Sequence, residues 1–209
     1  MKLIPMKIEY LGAFDLPSEN DVLTFIGRCA GEAYNSKMDR EACMNRALNI
    51  IKRGHHSPYE HMNITLKCTV DRGTSHALVR HRHCAFTQSS TIYQKFQECE
   101  FIDEVNEKQD ANIDEIKVDA YEYAETLYHD LLDAGEAPSS ARDVLPNDLA
   151  TNVVITTNLR QWMYMLQRRC GPGDSDKMHK WCKLTRYWFE EHYPRITLAF
   201  DTWYDKHPL

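Results

Sequence analysis

From Asn63 to Val70 the chain alternates without a break: Ile64, Leu66, Cys68 and Val70 are apolar, and Asn63, Thr65, Lys67 and Thr69 between them are polar. Successive side chains on an extended backbone point to opposite faces, so this spacing predicts a strand with one face buried and one wet. Such a strand needs neighbours for its backbone groups and a layer over its apolar face. Met6–Tyr10 reads as a short opening strand, and the run from Asn152 to Thr157 is β-rich. The covering layer is legible as helices. Asn20-Asp21 can cap one running through Val22, Phe25, Ile26 and Cys29, and Arg40 to Arg53 has helical spacing with Gly54 as its C′ glycine. Residues 111–134 place Ile113, Ile116, Ala120, Tyr123, Ala124, Leu127 and Leu131 on one face and stop at Gly135, while Leu159–Arg169 and Lys177–Glu191 flank a Gly171-Pro172-Gly173 break. Gly73-Thr74-Ser75 opens a helix toward Leu78 and Val79 after a turn at Arg72-Gly73, and Pro138 starts another toward Arg142. Thr87 to Thr91 reads as loop, and Asp201 to Leu209 as a surface tail. The class is α+β or α/β, rich in helix.

At 209 residues and 24.5 kDa the chain has the size of one domain, able to bury a core without staples. Its net charge of −6 argues against coating nucleic acid or an anionic membrane through its overall field, so any anion site must be local. No apolar h-region marks the start and no apolar run spans a bilayer, so a cytoplasmic protein is expected. The seven cysteines are an odd number without a CxxC pair, which fits reduced thiols. Cys84 and Cys170, each beside arginines, come nearest to a reactive setting.

Two clusters break the acidic background: His55-His56-Ser57-Pro58-Tyr59-Glu60-His61, and Arg80-His81-Arg82-His83 with the trailing Gln88-Ser89-Ser90-Thr91. The first is either a helix exit with solvated histidines or a set of donors and one carboxylate on a loop. The second is either a solvated helix end, where cations complement the macrodipole, or an anion site. Guanidinium forks suit phosphates and electron-rich rings, and histidine adds donors that titrate near neutrality. No HExxH or CxxC spacing supports a metal, no GxSxG elbow supports a serine hydrolase, and no glycine-rich loop supports a Walker or dinucleotide site. Bases could stack on Tyr93, Phe96 and Phe101, although core is the commoner fate of such aromatics. Trp162, Met163, Met165 and Leu166 read as helix packing.

Arg80-His81-Arg82 followed by Ser90 resembles the RHR-x₇-S signature of the flavin-dependent thymidylate synthases. Gly54-His55-His56-Ser57-Pro58-Tyr59-Glu60-His61 resembles that family's G-H-x-[ST]-P-[FY]-E-H segment, Ala141-Arg142-Asp143-Val144-Leu145-Pro146 its AR-x₂-LP segment, and Asn158-Leu159-Arg160 with Leu166-Gln167-Arg168-Arg169 its N-x-R and L-x-x-R helix. Four segments in order are more specific than any one of them. The resemblance implies a single domain over residues 1–209, a central antiparallel-type sheet flanked by helices, and a homotetramer with sites at subunit interfaces. It implies reductive methylation of dUMP to dTMP, with FAD as cofactor and NADPH and 5,10-methylenetetrahydrofolate as co-substrates. By matching position, His55, Ser57, Glu60, Arg80, His81, Arg82, His83, Asn158 and Arg160 would line the flavin site. Gln88, Ser89, Ser90, Arg142 and Arg169 would face the pyrimidine nucleotide, with Arg169 on the ring, Ser90 as a positioning hydroxyl, and Arg142 completing the catalytic set.

The departures lie on the substrate side. Ile92 stands where the family has a phosphate-contacting arginine, Gln88 where it has glutamate, Thr87 where it has asparagine and Ala77 where a glutamine helps the nucleotide. One lost charge-assisted contact is worth about 1.5–3 kcal/mol. These changes leave open a different pyrimidine nucleotide (UMP or dCMP), hydroxymethyl transfer, or a degenerate flavin-binding homologue. Tyr164, where the family tends to have asparagine, would crowd a flavin or folate edge.

Overall fold

The computed structural model describes residues 1–12, 14–33, 39–93, 95–102 and 111–208. Among these the chain forms strands β1 (Lys2–Ile4), β2 (Lys7–Tyr10), β3 (Asn63–Asp71), β4 (Ala85–Gln88), β5 (Glu100–Ile102) and β6 (Ala150–Asn158). The helices are α1 (Glu19–Glu32), α2 (Arg40–Lys52), α3 (Arg72–Leu78), α4 (Ala111–Asp133), α5 (Pro138–Ala141), α6 (Leu159–Arg169), α7 (Asp176–His192) and α8 (Pro194–Tyr204), with 3₁₀ turns at Ser57–His61 and Arg142–Val144. Four strands form a sheet in the order β2-β3-β6-β4, and β1 pairs with β5 in parallel, Leu3 opposite Phe101. The Thr65 and Thr156 hydroxyls meet at 2.9 Å and Thr69 donates to Asn152 at 2.7 Å, so numbers rise along β3 as they fall along β6 and the pair is antiparallel. The α+β reading therefore holds. No helix among the described residues is long and apolar enough to cross a membrane.

The chain divides into two compact units: Met1–Lys7, Cys68–Arg80 and Phe86–Val154 make the first, and Ile8–Lys67, His81–Ala85 and Ile155–Leu209 the second. In the first, Cys99, Phe101, Tyr121, Tyr128, Ala141 and Leu149 form a buried cluster, with Phe101 stacked on Tyr121 at 4.6 Å. In the second, α1 and α2 approach so closely that a Cβ on Gly27 would lie 1.9 Å from the Cys43 carbonyl oxygen, which restricts that position to glycine. Arg46 crosses the same contact, donating Nη1–H to the Gly27 carbonyl at 2.8 Å. Gly54, with φ of 75°, ends α2 as its C′ glycine; its amide donates to Ile51 and that of His55 to Ile50.

Some boundaries differ from the sequence reading. The cap of α1 is Ser18, whose hydroxyl accepts from the Asp21 amide at 3.2 Å, so the helix starts before Asn20-Asp21. Arg72-Gly73 is not a turn: Asp71 accepts from the Thr74 amide at 2.7 Å, and α3 begins at Arg72. Thr87 and Gln88 belong to β4 rather than to a loop. The supposed tail carries the end of α8 with Tyr204 buried; an apolar side chain one turn beyond Phe200 extends the packing face and holds the backbone helical. Trp162, Met163, Met165 and Leu166 are core, as read.

Candidate functional site

In the second unit His81, from the basic run, meets the end of α6. The Asn158 carboxamide oxygen caps that helix, accepting from the Gln161 amide at 2.9 Å, and Trp162, Met163, Met165 and Leu166 hold its buried face. Arg168 and Arg169 consequently fall in its last turn, where cations meet the negative end of the dipole. Arg169 donates Nε–H to Nε2 of His81 at 2.9 Å and lies 3.3 Å through Nη1 from the Asp174 carboxylate. His81 is only 8% exposed. Burial, then the positive charges of Arg169 and Arg168, push its pKa down to about 4. Its ring is therefore neutral, with the proton on Nδ1 and Nε2 accepting. The expectation of histidines titrating near neutrality fails at His81, because two guanidiniums and a closed environment disfavour a third cation.

The other cluster sits on the 3₁₀ turn. Tyr59 is buried and donates its hydroxyl to the Ala47 carbonyl at 2.9 Å, while His56 packs edge-on against Trp203 with ring centroids 4.5 Å apart. These two anchors leave His55, Ser57, Glu60 and His61 exposed. Glu60 is ion-paired with Arg160 of α6. Beside them opens a cavity of about 540 Å³ with an apolar wall (Cys29, Ala30, Ile50) and a polar one (Arg46, Arg53, His55, Ser57). Arg46 and Arg53 escaped the sequence reading. The available signal was their position on and just after α2, upstream of the Gly54-His55 pair.

In the first unit, Gln88 donates its amide to Ser75 at 2.9 Å and Thr151 at 3.2 Å, and the Ser89 amide donates to the Asn152 carbonyl. The Ser90 hydroxyl accepts from the Ile92 amide at 3.1 Å. Arg142 donates Nη1–H to the buried Thr91 hydroxyl at 2.7 Å and Nε–H to the Ser139 carbonyl at 2.9 Å. Ser89 and Thr91 line a polar pocket of about 110 Å³ with Thr151 and Phe96, and Thr91 and Arg142 line another of about 240 Å³ with Arg72 and Asn147.

Of the positions matched by resemblance, His55, Ser57, Glu60, His81, Arg82, His83, Asn158, Arg160 and Arg169 belong to the second unit, and Arg80, Gln88, Ser89, Ser90 and Arg142 to the first. His81 and Arg169, placed in different ligand sets by the resemblance, are bonded to each other. Arg80, Arg82 and His83 are exposed. Tyr164 is 37% exposed and stands edge-on to His81 at 6.3 Å.

The family model described as "Thymidylate synthase complementing protein" matches residues 16–195 of the chain. A protein of Corynebacterium aurimucosum named "Flavin-dependent thymidylate synthase" is 31% identical over 181 residues, covering 78% of this chain and 73% of that one. Proteins of the same name from Mycobacterium tuberculosis and Mycolicibacterium vanbaalenii are each 27% identical over 188 residues, covering 79% of this chain and 75% of theirs.

Proposed function

The chain belongs to the thymidylate synthase complementing family, and on that premise we propose that it is an FAD-dependent thymidylate synthase. The reaction proposed takes dUMP, 5,10-methylenetetrahydrofolate, NADPH and a proton to dTMP, tetrahydrofolate and NADP⁺, in a homotetramer. Bound flavin supplies a two-electron carrier between the nicotinamide and the incoming one-carbon unit.

The residues present fit such a group. The cavity of about 540 Å³ has the volume of a cofactor site. Cys29, Ala30 and Ile50 offer contact to a flat apolar surface, and Arg46, Arg53, His55 and Ser57 offer donors for a pyrophosphate. Glu60 and Arg160 of the same unit would border it, with Arg82, His83 and Asn158 contributing further polar groups, while Arg80 is assigned to the flavin by matching position alone.

Arg169 is assigned to the pyrimidine ring. As C5 becomes nucleophilic, electron density builds on the ring oxygens, and a guanidinium held in place beforehand stabilises it without reorganising. His81 and Asp174 do the holding. A protonated His81 would repel Arg169 and could not accept its N–H, so the neutral ring is the working form. Gln88, Ser89, Ser90 and Arg142 are assigned to the rest of the nucleotide, Ser90 as a positioning hydroxyl.

The observation that carries the reading is the Arg169 to His81 hydrogen bond, which joins the RHR run to the last residue of the L-x-x-R helix. Anaerobic reduction of the FAD-loaded protein by NADPH, followed by methylenetetrahydrofolate with dUMP, tests it by flavin absorbance and product mass. Flavin reduction and a dTMP mass are expected; flavin that stays oxidised with every nucleotide would sink the proposal. Ile92, 45% exposed and uncharged, together with Gln88 and Ala77 on the substrate side, motivates a second reading in which UMP or dCMP is the acceptor or hydroxymethyl is the group transferred. Both nucleotides belong in the same assay.

A further inference from the structure

Arg72 is the first residue of α3, and its backbone is fixed: its amide donates to the Leu149 carbonyl at 3.1 Å, and the Asp71 carboxylate before it is engaged by Thr74. Its side chain reaches the cavity of about 240 Å³ in the first unit. There its Nη1 is buried without a hydrogen-bond partner. Arg72 as a whole is half-buried, but a guanidinium nitrogen buried without an acceptor costs free energy, which an acceptor from outside the chain would relieve.

The surroundings select the acceptor's charge. Burial and then the nearby charge of Arg142 both disfavour the Arg72 cation, so a second guanidinium bears on the same volume. Arg142 is oriented by Thr91 and Ser139, and the one carboxylate lining the cavity, Asp143, lies 3.8 Å from its Nε with a largely exposed side chain. Asn147 adds a carboxamide. At about 30 Å³ per water the cavity has room for a hydrated tetrahedral oxyanion. Two planar forks on one small polar cavity is the arrangement that recognises phosphate.

We propose that Arg72 and Arg142, with Thr91, form an oxyanion site, and that Arg72 makes the substrate-phosphate contact that Ile92 cannot make. The identity of the ligand as a nucleotide phosphate rests on the function proposed above; the oxyanion site does not. Ile92 follows Thr91 directly in the chain, so Ile92→Arg puts a guanidinium on the residue next to one that lines the cavity.

The test is calorimetric titration of the full chain with dUMP, deoxyuridine and inorganic phosphate, on wild type, Arg72→Gln, Arg72→Lys, and Arg72→Gln combined with Ile92→Arg, with thermal melts of each. Arg72→Gln is expected to weaken dUMP on the order of ten- to a hundredfold and to leave deoxyuridine unchanged. Arg72→Lys should fall between, and Ile92→Arg should restore part of the loss. Wild type that binds deoxyuridine as tightly as dUMP and ignores phosphate overturns the proposal, as does Arg72→Gln with wild-type affinity for both dUMP and phosphate. If Arg72→Gln has no cooperative melt, an unchanged ratio of dUMP to deoxyuridine affinity in Arg72→Lys overturns it equally. Phosphate binding that depends on Arg72, without dUMP binding, would keep the oxyanion site and remove the substrate reading.

Discussion

Arg169 donates its Nε–H to Nε2 of His81, and the bond exists only while that imidazole is neutral. A histidine that would ordinarily titrate at 6.5 is held at about 4 by burial and by Arg169 and Arg168. Its pKa is depressed in the folded state, so between pH 6.5 and 4 the unfolded chain binds a proton that the folded protein refuses. The stability this contributes is complete above pH 6.5 and falls as pH drops toward 4, by on the order of 2 kcal/mol at pH 5. Melting temperatures of wild type and His81→Gln across pH 4.5–7 measure it. Gln can still accept from Arg169 and does not titrate, so the variant should lose less stability than wild type on acidification. Parallel curves would show that His81 does not carry the effect.

Replacing Arg169 by Lys keeps the charge and discards the geometry. A lysine cannot meet His81 through one nitrogen and Asp174 through another on a planar frame. Steady-state assay of Arg169→Lys should show kcat/KM reduced at least tenfold with the melting temperature nearly kept. Wild-type activity in Arg169→Lys would mean that fork geometry is irrelevant to the ring contact.

Asn158 invites two explanations, a flavin ligand and a helix cap. Its side-chain oxygen accepts from the Gln161 amide. On the cap reading alone Asn158→Ala loses about 1 kcal/mol of stability, while Asn158→Ser, another good cap, loses little. Chemical denaturation reads that difference, and flavin titration of Asn158→Ser separates the roles: a stable variant with weakened flavin binding makes Asn158 a ligand as well as a cap.

These residues also mark where the sequence was legible. β3 showed itself because a strand with one wet face must alternate, and α2 because a positive-φ glycine after helical spacing has few other uses. β1 and β5 did not. Each has three residues, too few for a period, and Lys2 meets Glu100 only through a fold that spacing cannot express. At the site, residue types were legible and states were not. Arg169 and His81 stand far apart in sequence, so neither their bond nor the neutrality it enforces has a local signature. Arg72 read as a turn residue because the buried, unmatched nitrogen that distinguishes it arises from packing around the cavity.

Cysteine reactivity offers a check on packing independent of any ligand. Cys84 and Cys170 both lie beside arginines in sequence, yet their environments differ. Cys84 is half-buried with its thiol pointing to the Met165 sulfur at 3.5 Å, and burial raises its pKa. Cys170 is exposed, and its thiolate is favoured by a hydrogen bond from the Cys182 thiol and by the charges of Arg186 and His179. Thiolate fraction and access together set alkylation rates. Brief iodoacetamide treatment of the native protein at pH 7, followed by peptide mass mapping, should therefore label Cys170 first, Cys29 and Cys84 more slowly, and the buried Cys43, Cys68, Cys99 and Cys182 last. Cys182→Ala removes the donor and should slow labelling of Cys170 while keeping it accessible. Cys84 labelled as fast as Cys170 would contradict the packing around Met165, and an unchanged rate in Cys182→Ala would show that the thiol pair does not set the reactivity.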